Sequence, residues 1–494
     1  MNTQTKQRAV SMALTILTFA FFMVFFTKVH PIALFDTDSW YYAYYHRHAW
    51  PIWGFWNPTR IFPEVFMPAV SQFCAHVVYP VTGDYFFSLT IGYATLVSAT
   101  VALLTWMVFR HFQKDGGGPL ECAALALLFL ICHFLIFRSG ESHNRYMLLT
   151  ENTCTHFYYV LPNLLNCVMV LWLTDDPKLN DYFAPKYLFR KSVFLLLAYF
   201  CIFSNLWAGM IGGIYACTAL LITLIKAQKK QKRWLSGSLG KHSALLILLA
   251  LWALAQWFEF NGRRANQIKN LQFSETIQAT LAAAKPVLST ISYPFRWMCL
   301  ILVVAGVGVT LWKKQGREME LALLALVAAP FTAVYLILSC AVCAPLYITR
   351  PDTFYGLFFF GMLILLVLFR QIIRHLPRTR IAVPLLLAIL AFECNTEDIT
   401  YSNSMYFNLS AEVCYRVDND ILQQLKGAID AGEQETILYV PRFDTNKNWP
   451  LSTSANAKKR IPLHLYKMGL LPRNITVTKI IPTDDKNREF GIGA

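Results

Sequence analysis

Uninterrupted apolar runs, many about 17 to 25 residues long, recur along this chain, and nothing else in it restricts the fold as strongly. An α-helix rises 1.5 Å per residue, so such a run matches the ~30 Å hydrocarbon core of a bilayer. Backbone groups in hydrocarbon must bond within their own segment, which makes each run a helix. Of 494 residues, 56% are hydrophobic and 15% charged. A soluble chain carries about a quarter charged residues. The expected class is an all-α polytopic membrane protein with a mean hydropathy of +0.41.

Runs near 9–29, 84–109, 119–138, 157–174, 190–207, 209–226, 242–258, 293–312, 319–343, 354–370 and 381–393 predict about eleven spans. The fifth and sixth are parted only by a tight turn near Asn205–Gly209, and the eleventh is short and contains Pro384. The first run is too long for a secretory signal. It continues Lys28-Val-His-Pro31 where a cleavage site would need small residues, so it is taken as a span.

Alternate loops hold the Lys and Arg clusters: Lys6 and Arg8, Arg110 and Lys114, Lys178 to Lys191, Lys226 to Lys241, Lys313 to Arg317, and Arg370 to Arg380. About 21 cations fall on that face and about ten in the longer opposing loops, which puts the N-terminus in the cytoplasm and the opposing loops outside. The net charge of +15 is then mostly this asymmetry plus attraction to an anionic inner leaflet, with no nucleic acid implied.

No internal repeat is evident, and one composition shift near residue 394 divides the chain. Residues 1–393 form the transmembrane domain, with a long first external loop at 30–83. Residues 394–494 read as a small external α/β domain, with an amphipathic stretch at Ile421–Ile429 and strands at Thr436–Val440 and Asn474–Ile481. The twelve cysteines lie mostly in spans, as small apolar residues. Cys394 with Cys414, or Cys340 with Cys343, can be bridged in an oxidising compartment. The lone Cys340-Ala-Val-Cys343 lacks the second pair of a metal site.

The external loops carry the candidate chemistry. Asp36 and Asp38 lie two residues apart just outside the first span. Such a pair suits a general base, or a divalent cation held by hard oxygen ligands. Alternatively, Asp38 simply caps the next helix. Trp40 and Tyr41 open an aromatic run through Trp56, suited to stacking on sugar faces or to an interfacial belt. Arg60 and Glu64 begin a segment read as too short to span and lying along the interface. Arg60 can meet a lipid phosphate and Glu64 can join the acids, or the two form an exposed i,i+4 pair. The second external loop offers His143, Arg145, Glu151 and His156, of which Glu151, at a span entrance, is the stronger catalytic candidate. Arg263 and Arg264, then Arg350, supply guanidinium forks that match phosphate.

This layout, with an acidic pair in a long first external loop, the Arg60-x-x-x-Glu64 segment and a soluble external tail, resembles the GT-C membrane glycosyltransferases. The likeness is nearest to the bacterial serotype-converting O-antigen glucosyltransferases of the inner membrane. It covers the whole chain in layout and is specific at Asp36–Asp38 and Arg60–Glu64. The resemblance implies an inverting enzyme that moves a sugar from a polyprenyl-phosphate donor to a glycan or lipid acceptor on the external face. Asp36 or Asp38 would be the base, and the sequence leaves open which. The Asp-Thr-Asp spacing departs from the adjacent acids of many relatives. No cofactor is required, although a divalent cation at Asp36/Asp38 fits. No Gly-rich phosphate loop points to a nucleotide-sugar donor. The rival readings are a transporter or flippase of a lipid-linked glycan, and an O-antigen polymerase. Few charges inside the spans disfavour the transporter.

Overall fold

A computed structural model describes residues 3–34, 37–137, 147–150, 152–176, 179, 181–182, 187–229, 242–268, 271–313, 319–376, 379–394, 411–442 and 455–492. The first half contains α1 (Thr3–Val24), α2 (Thr37–Tyr42), α3 (Ile61–Phe73), α4 (Tyr85–Lys114), α5 (Pro119–Leu135), α6 (Leu161–Asp175), α7 (Leu188–Ile202) and α8 (Leu206–Lys229). Then follow α9 (Ser243–Phe260), α10 (Phe273–Ser289), α11 (Tyr293–Lys313), α12 (Met319–Cys343), α13 (Tyr355–His375) and α14 (Thr379–Cys394). The C-terminal region adds α15 (Ala411–Asp430), β1 (Glu435–Pro441), α16 (Ala455–Lys467), β2 (Thr476–Thr483) and α17 (Asp484–Phe490).

The architecture is all-α and polytopic. Among the described residues, 8 helices are long and apolar enough to cross a membrane: Gln4–Val29, Ile61–Thr82, Tyr85–Lys114, Thr153–Asp175, Leu206–Gln228, Ser243–Phe260, Glu320–Cys343 and Pro351–His375. The expected third, eighth and eleventh spans correspond to shorter apolar helices, Pro119–Leu135, Tyr293–Val309 and Ala382–Cys394. The expected fifth run, 190–207, is the 15-residue α7. Large apolar side chains stay exposed on the helix flanks, among them Leu17, Phe21, Leu196, Val304 and Phe392. Spread over so many helices, they suit a hydrocarbon surround rather than water.

The Ile61–Thr82 helix is longer than the sequence suggested. A π-helical turn at Cys74–Val78 carries α3 on to Thr82. Pro63 falls in the first turn, where no helical partner for its N–H exists, and Pro68 removes only one bond inside. Although long enough to span, this helix has both ends beside α2. Arg60 lies over Tyr158, which packs on Tyr42 of α2. At the far end Tyr79 packs on Tyr85, whose neighbour Phe86 meets Trp40 of α2. The helix therefore runs across one end of the bundle, and that end also gathers the Ala33–Asn152 and Phe137–Ile291 bridges. At the opposite end Arg370 pairs with Glu121 at 2.8 Å and Asp115 at 3.3 Å, and His111 meets Asp175 at 2.6 Å.

The C-terminal domain is a βαβ unit. β1 and β2 are parallel, from Glu435↔Thr476 to Pro441↔Thr483, with α16 as the crossover. No disulfide forms among the described residues, and Cys340, Cys343 and Cys414 are buried thiols.

This domain docks on α2 through Trp40. His464 of α16 is buried and its Nδ1 donates to the Trp40 carbonyl at 2.7 Å, which leaves Nε2 to accept from the Tyr85 hydroxyl at 2.7 Å. Burial pushes the His464 imidazole down to about 4. Buried Asp418 of α15 accepts from the Trp40 indole, and burial pushes its carboxyl well above the usual carboxylate range despite that bond.

The two groups give opposite pH linkages. Between pH 6.5 and 4 unfolding lets His464 take up a proton, so its contribution is lost on acidification, at up to about 1.4 kcal/mol per pH unit. Folded Asp418 holds a proton that the unfolded chain releases, so its term favours the fold as pH falls through the raised value. In thermal melts of the detergent-solubilised protein at pH 7 and 4.5, His464→Gln is expected to lose less stability on acidification than wild type. Asp418→Asn is expected to lose more.

Candidate functional site

Four segments from distant parts of the chain converge at the α2 end of the bundle and enclose a cavity of about 160 Å³. α2 brings Asp38, within its first turn, and Tyr42. The irregular segment after it brings Asn57 and Arg60. A short helical turn capped by the Asn152 side chain leads into the π-helical turn His156–Val160, which presents Tyr158 and Tyr159. The turn after α12 supplies Tyr347 and Arg350. The volume lies below the range that encloses a whole drug-sized ligand and suits a phosphate or a single ring.

Two guanidinium groups dominate the interior. Arg60 lies 4.6 Å from the centre of the Tyr158 ring, and Arg350 lies 4.2 Å from that of Tyr159. A third, Arg264, sits behind Tyr347 at 5.0 Å, and Trp207 stacks on Tyr347 at 4.9 Å. Arg264 is engaged by Glu259 at 2.9 Å, and Arg350 by Asp352 at 3.7 Å. Arg60 has no ion-pair partner within 4.0 Å among the described residues. Burial raises the Tyr347 phenol, but Arg60, Arg264 and Arg350 together draw it below the ordinary tyrosine value, a measure of how electropositive the interior is. On the α2 side the sign reverses. Burial, followed by the charges of Glu64 and Asp38, holds the Tyr42 phenol protonated far above neutral pH.

The positions of Arg60 and Glu64 have local causes. Arg60 precedes α3 and lends it no side-chain cap. The Phe203 carbonyl instead accepts from the Ile61 and Phe62 N–H groups at 2.9 and 3.1 Å, which fixes where the helix starts. Glu64 is fully buried and pairs with Arg47 at 3.2 Å, while the Tyr158 hydroxyl donates to it at 3.5 Å. The exposed Arg60–Glu64 pair is therefore not formed: Arg47 takes the carboxylate and leaves Arg60 facing the cavity.

The other sequence candidates divide as follows. Asp36, His143, Arg145 and Glu151 lie outside the described residues. Trp40 is buried between Phe86 and His464 and presents no face to the cavity. Tyr41 stacks on Tyr45 at 4.7 Å, beneath the guanidinium of Arg460 at 4.1 Å. His156 is buried, with Nε2 donating to the Thr150 carbonyl at 2.7 Å and its ring against Phe26. Arg263 is exposed, and its backbone N–H donates to the Phe55 carbonyl at 2.9 Å.

Sequence reasoning missed Arg47, Tyr158, Tyr159, Tyr347 and Arg460. Arg460, from α16, pairs with Asp38 at 3.4 Å, so the C-terminal domain reaches the rim of the cavity. The adjacent tyrosines Tyr158 and Tyr159 at the head of an apolar span were the available signal. Among the described residues no group of three His, Cys, Asp or Glu converges as metal ligands would.

The chain matches no family model, no curated protein and no solved structure.

Removing Arg47 leaves the Glu64 charge buried and alone, so Arg47→Ala is expected to destabilise the protein by about 3–5 kcal/mol. Arg47→Met combined with Glu64→Leu removes both charges and should recover most of that loss. Thermal unfolding of the three variants in detergent measures both effects.

Proposed function

We propose that the protein is a multi-pass glycosyltransferase that moves a hexose from a polyprenyl-phosphate donor to a glycan or lipid acceptor at the external face of a bacterial inner membrane. The observation that carries this reading is the convergence of a carboxylate, Asp38, with two guanidinium groups, Arg60 and Arg350, in one cavity at an end of an apolar bundle. The orientation follows from the cation clusters: Arg8, Arg110 and Arg370 belong to the far end, so the cavity and the C-terminal domain face outward.

On this reading each part has a role. The acceptor hydroxyl oxygen attacks the anomeric carbon, and its proton passes to a carboxylate oxygen of Asp38. The bond from that carbon to the phosphate oxygen breaks with its electron pair, and inversion follows from attack opposite the leaving group. Charge building on the phosphate is met by Arg60 and Arg350, held in place by the tyrosine faces beneath them. Arg60 suits this task best, because among the described residues no carboxylate forms an ion pair with it. Asp36 is the other candidate for the base. A divalent cation between Asp36 and Asp38 is the alternative use of the same acids, and loss of activity in a chelator would identify it.

The arginines alone would equally suit a polymerase that joins lipid-linked glycans; a base at Asp38 favours transfer of a single sugar. Mass analysis of surface glycans from cells with and without the gene is expected to differ by one hexose. No change in any glycan would point to the transporter instead. Asp38→Asn is expected to lower transfer by about 10²–10⁴-fold with membrane insertion unchanged. Arg60→Ala is expected to lower it by about 10²–10³-fold, chiefly in kcat. If Asp36→Asn, Asp38→Asn and the double variant all retain full activity in a reconstituted assay, the catalytic assignment fails.

A further inference from the structure

A second concavity, larger than the cavity at the α2 end, lies elsewhere in the bundle. It is a groove of about 800 Å³ between α1 and α4. Its walls are apolar, with Ile16 and Phe19 on α1 facing Leu103 and Trp106 on α4. Arg8 and Arg110 cap one end, and no Asp or Glu lines it. Arg110 lies 5.0 Å from the centre of the Trp106 ring. Neither arginine forms an ion pair among the described residues.

The groove's length distinguishes among occupants. From Arg8 to Phe19 the helix rises about 16 Å. Half of a ~30 Å hydrocarbon core is about 15 Å, so the groove extends through one leaflet and stops. Its charged end meets the membrane surface and its apolar end the midplane. α1 reaches the α2 end of the bundle only beyond Val29, where Ala33 bridges to Asn152, so the groove opens on the leaflet opposite the cavity. The cap is also anchored: Gln113 Nε2 donates to Gln7 Oε1 at 3.2 Å, and Gln7 Nε2 donates to the Gly117 carbonyl at 3.2 Å. A smaller groove of about 440 Å³ lies on the other side of Arg110 and Trp106, but its own arginine, Arg190, is engaged by Asp176 at 3.5 Å.

We propose that the α1–α4 groove is a binding site for an anionic glycerophospholipid of the bilayer. The phosphate sits between Arg8 and Arg110, and an acyl chain lies along Ile16, Leu103 and Phe19. Two cations without carboxylate partners among the described residues, at the surface end of an apolar channel one leaflet long, match a lipid with a charged head and a single-leaflet tail. The proposal does not depend on the catalytic reading, because the groove and the cavity lie at opposite ends of the bundle.

Lipid retention tests it. The purified protein in neutral detergent is titrated separately with phosphatidylglycerol, phosphatidylcholine and undecaprenyl phosphate, and bound lipid is counted by native mass spectrometry. Phosphatidylglycerol is expected to bind at least about 5-fold more tightly than phosphatidylcholine, with the preference weakening as salt rises. Arg8→Gln with Arg110→Gln should reduce it to the phosphatidylcholine level. Ala99→Trp, at an exposed position in the groove wall, should weaken phosphatidylglycerol with both arginines intact, which keeps the test open if the double variant does not fold. Equal binding of the two phospholipids by wild type would overturn the proposal. So would retention of phosphatidylglycerol by either variant, or a preference for undecaprenyl phosphate, which would assign the groove to the carrier lipid.

Discussion

Arg47 and Glu64 meet at 3.2 Å with almost no surface left to solvent, and the geometry of the cavity depends on that pair. Taking either ion out of water costs several kcal/mol, which their attraction offsets only if the remaining donors and acceptors are also used. Arg47 meets this condition through Nη1 and Nη2, which also donate to the carbonyls of Asn57 and Pro58, while its Nε stays buried without a hydrogen-bond partner; the irregular segment between α2 and α3 is thereby folded back on its guanidinium. Because Glu64 is claimed from that side, Arg60, one turn earlier, is left to the cavity. Elsewhere in the bundle buried arginines likewise pair with carboxylates, Arg264 with Glu259 and Arg370 with Glu121. Against that background, Arg60, which lines a cavity and has no ion-pair partner among the described residues, supports the proposal that an external anion binds there.

The acid on the other side of the cavity is held by different means. Asp38 rides on a helix of only six residues, too short to persist by itself. Trp40 stabilises that helix by anchoring it to the C-terminal domain, through His464 on its carbonyl and Asp418 on its indole. Arg460, one turn before His464, then reaches Asp38 itself. The C-terminal domain, about 420 residues downstream of α2, thus contacts the carboxylate through Arg460, and a loss of docking would reach the cavity directly.

Much of this was legible in the chain. Apolar run length requires membrane helices whatever the detailed packing, and alternation of Lys and Arg marks the two ends, so the polytopic class and the gathering of Asp38, Arg60 and Arg350 at one end follow from sequence. The interface segment at Arg60 is similar. Its place along the interface was expected because the segment read as too short to span, whereas the helix Ile61–Thr82 is in fact long enough to cross. The α/β character of the tail was visible from one amphipathic stretch and two short strands, but the crossover helix α16 and the parallel pairing were not.

What sequence does not reveal is which charges find each other. Glu64 lies four residues from Arg60 and 17 from Arg47, and local spacing favours the wrong partner. Burial reverses that preference, because desolvation rewards the guanidinium that can also satisfy two carbonyls. Trp40 reads like any interfacial tryptophan until a domain more than 370 residues away covers it. Tyr158, Tyr159 and Tyr347 read as span residues because nothing in a linear pattern shows that a π-helical turn and a turn after α12 will face one cavity. Hydrophobic length is additive along the chain, and the sequence determines it. The pairing of buried charges and aromatic faces depends on three-dimensional neighbours, and only the tertiary structure decides it.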